Sequence, residues 1–217
     1  MYNAESPSKD YLNLIESYKR IHSKSDFQDV SANAYNGWAT LFFADFLKKF
    51  IEINKCKTLL DYGSGKGQFY FEERKFNNKI YPPMSSFWNI EPTLYDPCVH
   101  KYEKKPKKKF DIVISIDVLE HIPSQDLAWV IEEIFSFSND IVFINVACYL
   151  AGTILDDGRN AHVTVLSPPK WHDIILKITK NYNLRIFLTC SYYNFSNKSK
   201  KIEFISYAIN DDFNNYK

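Results

Sequence analysis

Three of the six glycines stand at alternate positions, Gly63, Gly65 and Gly67, in the run Thr58-Leu-Leu-Asp-Tyr-Gly-Ser-Gly-Lys-Gly67. Glycine lets a chain turn sharply after a strand and lets a ligand approach where a Cβ would otherwise stand. A helix starting just past the turn would aim its free N–H groups at that ligand. The spacing is one residue short of the dinucleotide fingerprint G-x-G-x-x-G, and Lys66 is followed by Gly67-Gln68 rather than by the Ser or Thr of a phosphate loop. Asp61, two positions before the first glycine, would repel a pyrophosphate but suits the ammonium of an amino-acid group. A ligand that is part nucleoside and part amino acid satisfies both features.

A second set of residues suits proton handling. His121 and Asp117 follow an apolar run, and His162 lies in a polar, glycine-containing loop further on. An imidazole titrates near neutrality and is the natural base for a hydroxyl acceptor. Asp117 is placed to orient a bound cofactor or acceptor. Of the other histidines, His22 and His100 have polar neighbours and read as surface residues, and His172 reads as helix surface. Asp117, His121, Asp156, Asp157 and His162 offer oxygen and nitrogen ligands, but no spacing rule ties them into a metal site, so no metal is assigned.

Elements must position these groups. Lys9 to His22 carries apolar residues at helical spacing, and Gly37 to Ile53 predicts a second helix. Cys56 to Leu60 reads as a strand entering the glycine turn, Gln68 to Phe76 as a helix, and Asn77 to Phe87, with its paired prolines, as a loop or insertion. Trp88 to Tyr95 predicts a second strand ending at Asp96-Pro97. Phe110 to Ile116 is the clearest strand, followed by a helix over Gln125 to Phe137 and a strand over Ile141 to Ala147. A helix over Trp171 to Tyr182 precedes two strands, Leu184 to Tyr192 and Lys201 to Ile209, that are expected to pair antiparallel. Alternating strands and helices imply an α/β fold, a doubly wound and mostly parallel sheet.

Leu60-Asp-Tyr-Gly-Ser-Gly-Lys-Gly67 and Phe110-Asp-Ile-Val-Ile-Ser-Ile-Asp-Val-Leu-Glu-His-Ile-Pro123, in that order, resemble the first and fourth strand motifs of class I S-adenosylmethionine (SAM)-dependent methyltransferases. The similarity spans roughly Leu41 to Ala147. It implies a Rossmann-like core over residues 55–217, with 1–54 as a helical cover, the whole forming one domain. Asp61, Gly63, Ser64 and Gly65 would line the methionine end of SAM, with Gly67 allowing close helix packing. Asp96 would take the ribose hydroxyls, as a carboxylate accepting both, with Glu91 as the alternative. Asp117 would stand on the cofactor side as well. Only Cys98 to Lys109 separate Pro97 from Phe110, too few for the usual helix and third strand, so that strand is shortened or absent and no adenine-binding residue is named. The stretch from Asp157 to Trp171 is similar to small bacterial members, some linked to cell-surface carbohydrate modification. A sugar or sugar nucleotide is the acceptor that this suggests, with Tyr35, Trp38, Phe69, Tyr70 or Trp171 available to stack on it and Arg159 or Lys170 to meet a phosphate.

The bulk properties exclude other classes. A 217-residue chain with 45% hydrophobic residues and 17% aromatics can bury a sizeable core. A formal charge of +1 gives no general pull toward nucleic acid or anionic membranes. The lysines between Lys104 and Lys109 form a run without interleaved aromatics and read as a solvated connector. The signatures of DNA methylation, D/N-P-P-Y/F or Pro-Cys after the fourth strand, are missing. No leader pattern and no membrane-length apolar stretch are present, and Cys56, Cys98, Cys148 and Cys190 form no C-x-x-C pair, so a cytoplasmic protein with reduced thiols is expected. The rival reading is a non-catalytic SAM-binding scaffold.

Overall fold

The structure is a computed structural model and describes residues 2–24, 37–194 and 201–216. In chain order its strands are β1 (Leu59–Tyr62), β2 (Arg74–Phe76), β3 (Lys79–Tyr81), β4 (Pro92–Tyr95), β5 (Phe110–Ile116), β6 (Ser138–Ala147), β7 (Arg185–Asn194) and β8 (Lys201–Ile209). Six of them form one sheet in the order β4-β1-β5-β6-β7-β8. All pairs are parallel except β7 with β8. The helices are α1 (Lys9–Lys24), α2 (Ala44–Ile53), α3 (Met84–Trp88), α4 (Leu127–Ser136) and α5 (Pro168–Thr179).

Helices cover both faces of the sheet, which is why its strands read as unbroken apolar runs. Alternate strand residues point to opposite faces. Leu60, Val113, Val142 and Ile186 pack with α4 and α5, whereas Leu59, Ile112, Ile141 and Phe187 pack with α2 and α3. Burying each such side chain contributes about 1.5–3 kcal/mol, so the frame that carries the strand ends is rigid. This is the Rossmann-like architecture that the sequence implies, with the antiparallel pair at its C-terminal edge.

Several local expectations change: Trp38–Phe43, expected within one helix to Ile53, is a separate 3-10 turn, and Asn77 to Phe87, expected as a loop or insertion, holds β3 and most of α3. The Gln68 to Phe76 helix is absent: a 3-10 turn, Gln68–Tyr70, is followed by the β2–β3 hairpin. Asn77 and Asn78 sit at its corner with φ of 47° and 61°, the left-handed pair that a tight hairpin turn requires. Trp88 is the last residue of α3 rather than the start of a strand, and its Nε1–H donates to the Ala44 carbonyl at 2.9 Å, tying α3 to α2. Between β4 and β5 the described residues hold only a 3-10 turn, His100–Tyr102, so no third strand lies beyond β4 at that edge. No helix among the described residues is long and apolar enough to cross a membrane.

Candidate active site

In an open parallel sheet, ligands bind outside the carboxyl ends of the strands. There the ends of β1, β4, β5 and β6 surround a cavity of about 480 Å³, walled on the remaining side by Tyr11, Leu14 and Tyr18 of α1. The helix is fixed at its start: Ser8 donates through both its N–H and its hydroxyl to the buried Asp126, and Tyr11 meets Trp129 edge-on at 5.0 Å.

The glycine turn forms the floor beside β1. Gly63, Ser64 and Gly65 line the cavity. Gly63 has φ 82°, and a Cβ there would lie 2.4 Å from Cγ2 of Val118. Gly67, φ 58°, is pressed against Leu94 of β4, not against a following helix, because only the short 3-10 turn stands there. The helix N-terminus expected behind the glycines is therefore missing, and with it the positive end of a helix dipole.

Asp96, at the exit of β4, lines the cavity and binds the turn: Oδ2 accepts the Gly65 N–H at 2.8 Å and Oδ1 the Cys98 N–H at 2.8 Å. Burial pushes its carboxyl up, partly offset by those N–H groups and by His22. Glu91 is exposed and precedes β4, at the opposite end of the strand, so it is unsuited to the ribose role. Asp61 is buried beneath the turn and does not line the cavity; its Oδ2 accepts the Tyr70 hydroxyl at 2.9 Å. Desolvation, with some repulsion from Asp96, raises it to about 7 against the pull of Tyr70. His22, read from sequence as a surface residue, is half-buried on the cavity wall near Asp96, and burial holds its imidazole below the usual value. Its neighbours in sequence are polar, and the fold alone turns it inward.

On the β5–β6 side the structure brings Asp117, His121 and His162 together on the wall. Asp117 leaves β5 with φ 60°, held by its N–H to the Asn145 carbonyl at 3.1 Å. His121 ends a 3-10 turn, Leu119–His121, and its ring stands 4.8 Å from that of His162, nearly perpendicular. His121 Nδ1 lies 3.0 Å from the Ala161 carbonyl and 2.8 Å from the Tyr18 hydroxyl, which itself donates to Ala161 at 2.8 Å. A carbonyl only accepts, so Nδ1 carries the proton and Nε2 the lone pair. Burial lowers this imidazole to about 4, which keeps it neutral at physiological pH. His162 is buried, and its Nδ1–H donates to the Tyr149 carbonyl, again leaving Nε2 as the acceptor.

Sequence reasoning missed Glu120. It is fully buried beside Asp117 and His162, with Oε1 accepting the Ala147 N–H. The signal was its place three residues after Asp117, which a tight turn brings back to the same side. Arg159 pairs with Asp10 and Asp157, Asp156 pairs with Arg20, and Lys170 is exposed on α5. Neither Arg159 nor Lys170 lines the cavity, so neither is placed for the suggested phosphate contact, and Asp156 and Asp157 do not line it either. Trp38 does line it, whereas Phe69, Tyr70 and Trp171 are core residues and Tyr35 lies outside the described residues.

A family profile described as a methyltransferase domain matches residues 35–167, more than half of the chain. The chain belongs to this methyltransferase family. No curated protein matches it. The matched segment holds both walls of the cavity, from the glycine turn through Asp96 and Asp117 to His162. It begins after α1 and ends before α5.

Proposed function

We propose that the protein transfers a methyl group from SAM to a hydroxyl or related oxygen of a small polar acceptor. The carrying observation is the cavity lining: a glycine turn and two carboxylates, Asp96 and Asp117, with no lysine or arginine among the described lining residues. Such a wall accepts a ligand rich in cationic and hydroxyl donors and repels phosphate. The Gly63 position, which a Cβ would fill, and the raised carboxyls of Asp61 and Asp96 fit the amino-acid and ribose parts of SAM. Burial has left those acids short of positive charge.

When bound, SAM supplies a methyl group already activated on a sulfonium. The protein's share is alignment and care of the acceptor's proton. Gly63, Ser64 and Gly65 form the cradle, Asp61 attracts the ammonium from below it, and Asp96 offers its remaining lone pairs to hydroxyls. Asp117 orients the reactants at the β5 exit. His121, kept neutral by its burial, and His162 present Nε2 atoms to take the acceptor's proton. Within 1–54, α1 serves as the cover, whereas α2 packs into the core on one face of the sheet.

A neutral acceptor suits this lining better than a sugar nucleotide, whose pyrophosphate would meet carboxylates. A sugar or cell-surface saccharide precursor stays within the class, with Trp38 available to stack on it. The competing reading, a non-catalytic SAM-binding scaffold, keeps the cradle but assigns no role to the imidazole pair. Calorimetric titration with SAM and S-adenosylhomocysteine, with NAD as control, tests the cofactor: both should bind and NAD should not. Absence of SAM binding by the folded protein would overturn the proposal.

A further inference from the structure

Glu120 is fully buried, yet only one of its carboxylate oxygens has a donor. Oε1 accepts the Ala147 N–H, whereas among the described residues no hydrogen bond reaches the buried Oε2. The group that stands near it is another carboxylate, Asp117. One ligand atom from each of Asp117, Glu120 and His162 lies within 4.8 Å of the other two. Two carboxylates this close cannot both stay ionised unless a shared proton or a cation stands between them, and a cation leaves both free to act as ligands.

We infer that Asp117, Glu120 and His162 hold a divalent cation at the acceptor side of the cavity. Ligand atoms about 2.0–2.3 Å from an ion lie within roughly 4.6 Å of one another, which the cluster's spacing allows. The donor types agree, since two carboxylates and an imidazole suit Mn²⁺-like ions. Outer contacts are already set. Nδ1–H of His162 is spent on the Tyr149 carbonyl, the bond that typically fixes a ligating imidazole with Nε2 toward the metal, and Ala147 fixes Glu120 from behind. Asp117 is only partly buried and lines the cavity, so the ion would be reachable from the cavity and keep coordination positions open toward it.

The site's existence stands apart from the methyltransferase proposal; its role rests on that reading. An acceptor hydroxyl held by the ion loses its proton more easily, the oxygen keeping the electron pair for the methyl group and the proton passing to His121. His162 then acts as a ligand and His121 alone as the base.

The test is titration of chelator-stripped protein with Mn²⁺, followed by the electron paramagnetic resonance of the free ion, with SAM affinity measured calorimetrically on the same samples. A single saturable equivalent is expected, with Glu120→Gln, Asp117→Asn and His162→Ala each weakening it by about tenfold or more. Asp117, partly exposed, serves as the variant least exposed to folding defects, and circular dichroism checks the others. No saturable Mn²⁺ binding by wild type that binds SAM would overturn the site and leave the methyltransferase proposal standing. Unchanged Mn²⁺ affinity in both Asp117→Asn and Glu120→Gln would overturn it as well. Mn²⁺ binding in a protein that fails to bind SAM would support the site and sink the cofactor proposal.

Discussion

On the β1–β4 side of the cavity the ligand-facing surface joins the tight glycine turn, Gly63 to Gly65, to the Asp96 carboxylate at the β4 exit. On the β5–β6 side it consists of side chains collected from the β5 exit and the loop after β6, with Tyr18 of α1 behind them. The first half is fixed by φ angles and close packing, as at Gly63 against Val118. The second is fixed by hydrogen bonds between distant segments: Thr164 donates its N–H to the Glu120 carbonyl at 2.9 Å and its hydroxyl to that of Ile122 at 2.6 Å, stitching the His162 loop to the β5 exit. A surface fixed by glycine φ angles tolerates few substitutions, whereas a side-chain surface can be altered one residue at a time.

That contrast predicts separable failures. The largest effect is expected in turnover: His121→Ala and His162→Ala should leave SAM affinity intact while at least one lowers the methylation rate roughly 10²–10⁴-fold in single-turnover assays. If both retain full rate on the true acceptor, the β5–β6 side is not the chemical half. Gly63→Val should do the reverse and weaken SAM binding by about a hundredfold, or about 2.8 kcal/mol, because its Cβ collides with Val118 and its φ is unfavourable for a branched residue. Calorimetry checks this, with circular dichroism confirming the fold.

The smallest effect sharpens the comparison through stability. Asp61 has a folded pKa of about 7, raised from 3.8 by burial. Between those values the folded state holds a proton that the unfolded state has lost, so stability declines as pH rises from about 4 to 7. Asp61→Asn keeps a carbonyl for the Tyr70 hydroxyl and removes the buried charge. Without cofactor it should melt above wild type at pH 8, by roughly 2–4 °C for each kcal/mol recovered, and the gap should close on acidification. A gap that does not change with pH would show that the Asp61 charge is not the cause.

Much of the frame was legible because both-face burial writes itself as continuous apolar strands: β5, β6 and the β7–β8 pair lie where their residues indicate. The shortage of chain between Pro97 and Phe110 likewise revealed the missing third strand. The Gln68 to Phe76 segment misled because Phe69, Tyr70 and Phe76 are buried for different reasons, the first two by the turn and the last by a hairpin. The informative residues there were Asn77-Asn78, which suit left-handed corners. His22 was obscured because solvent exposure was inferred from its polar neighbours, and Glu120 because nothing in its local pattern beyond the spacing from Asp117 set it apart. Each is turned inward by contacts far along the chain, which local pattern does not encode.

Under the proposed function, the short turn after Gly67 has a consequence for cofactor traffic. With no helix dipole behind the glycines, the acidic and basic side chains on the described cavity wall are Asp96, Asp117 and the histidines, with no lysine or arginine among them, which favours cations over anions. Electrostatic steering then favours the approach of a sulfonium-bearing cofactor and weakens as salt rises. Once the methyl group has left, the remaining thioether has lost that positive charge, and the same wall attracts it less. On the proposed reading a missing helix would thus bias the traffic through the site, speeding arrival of the charged reactant without equally retaining its uncharged product.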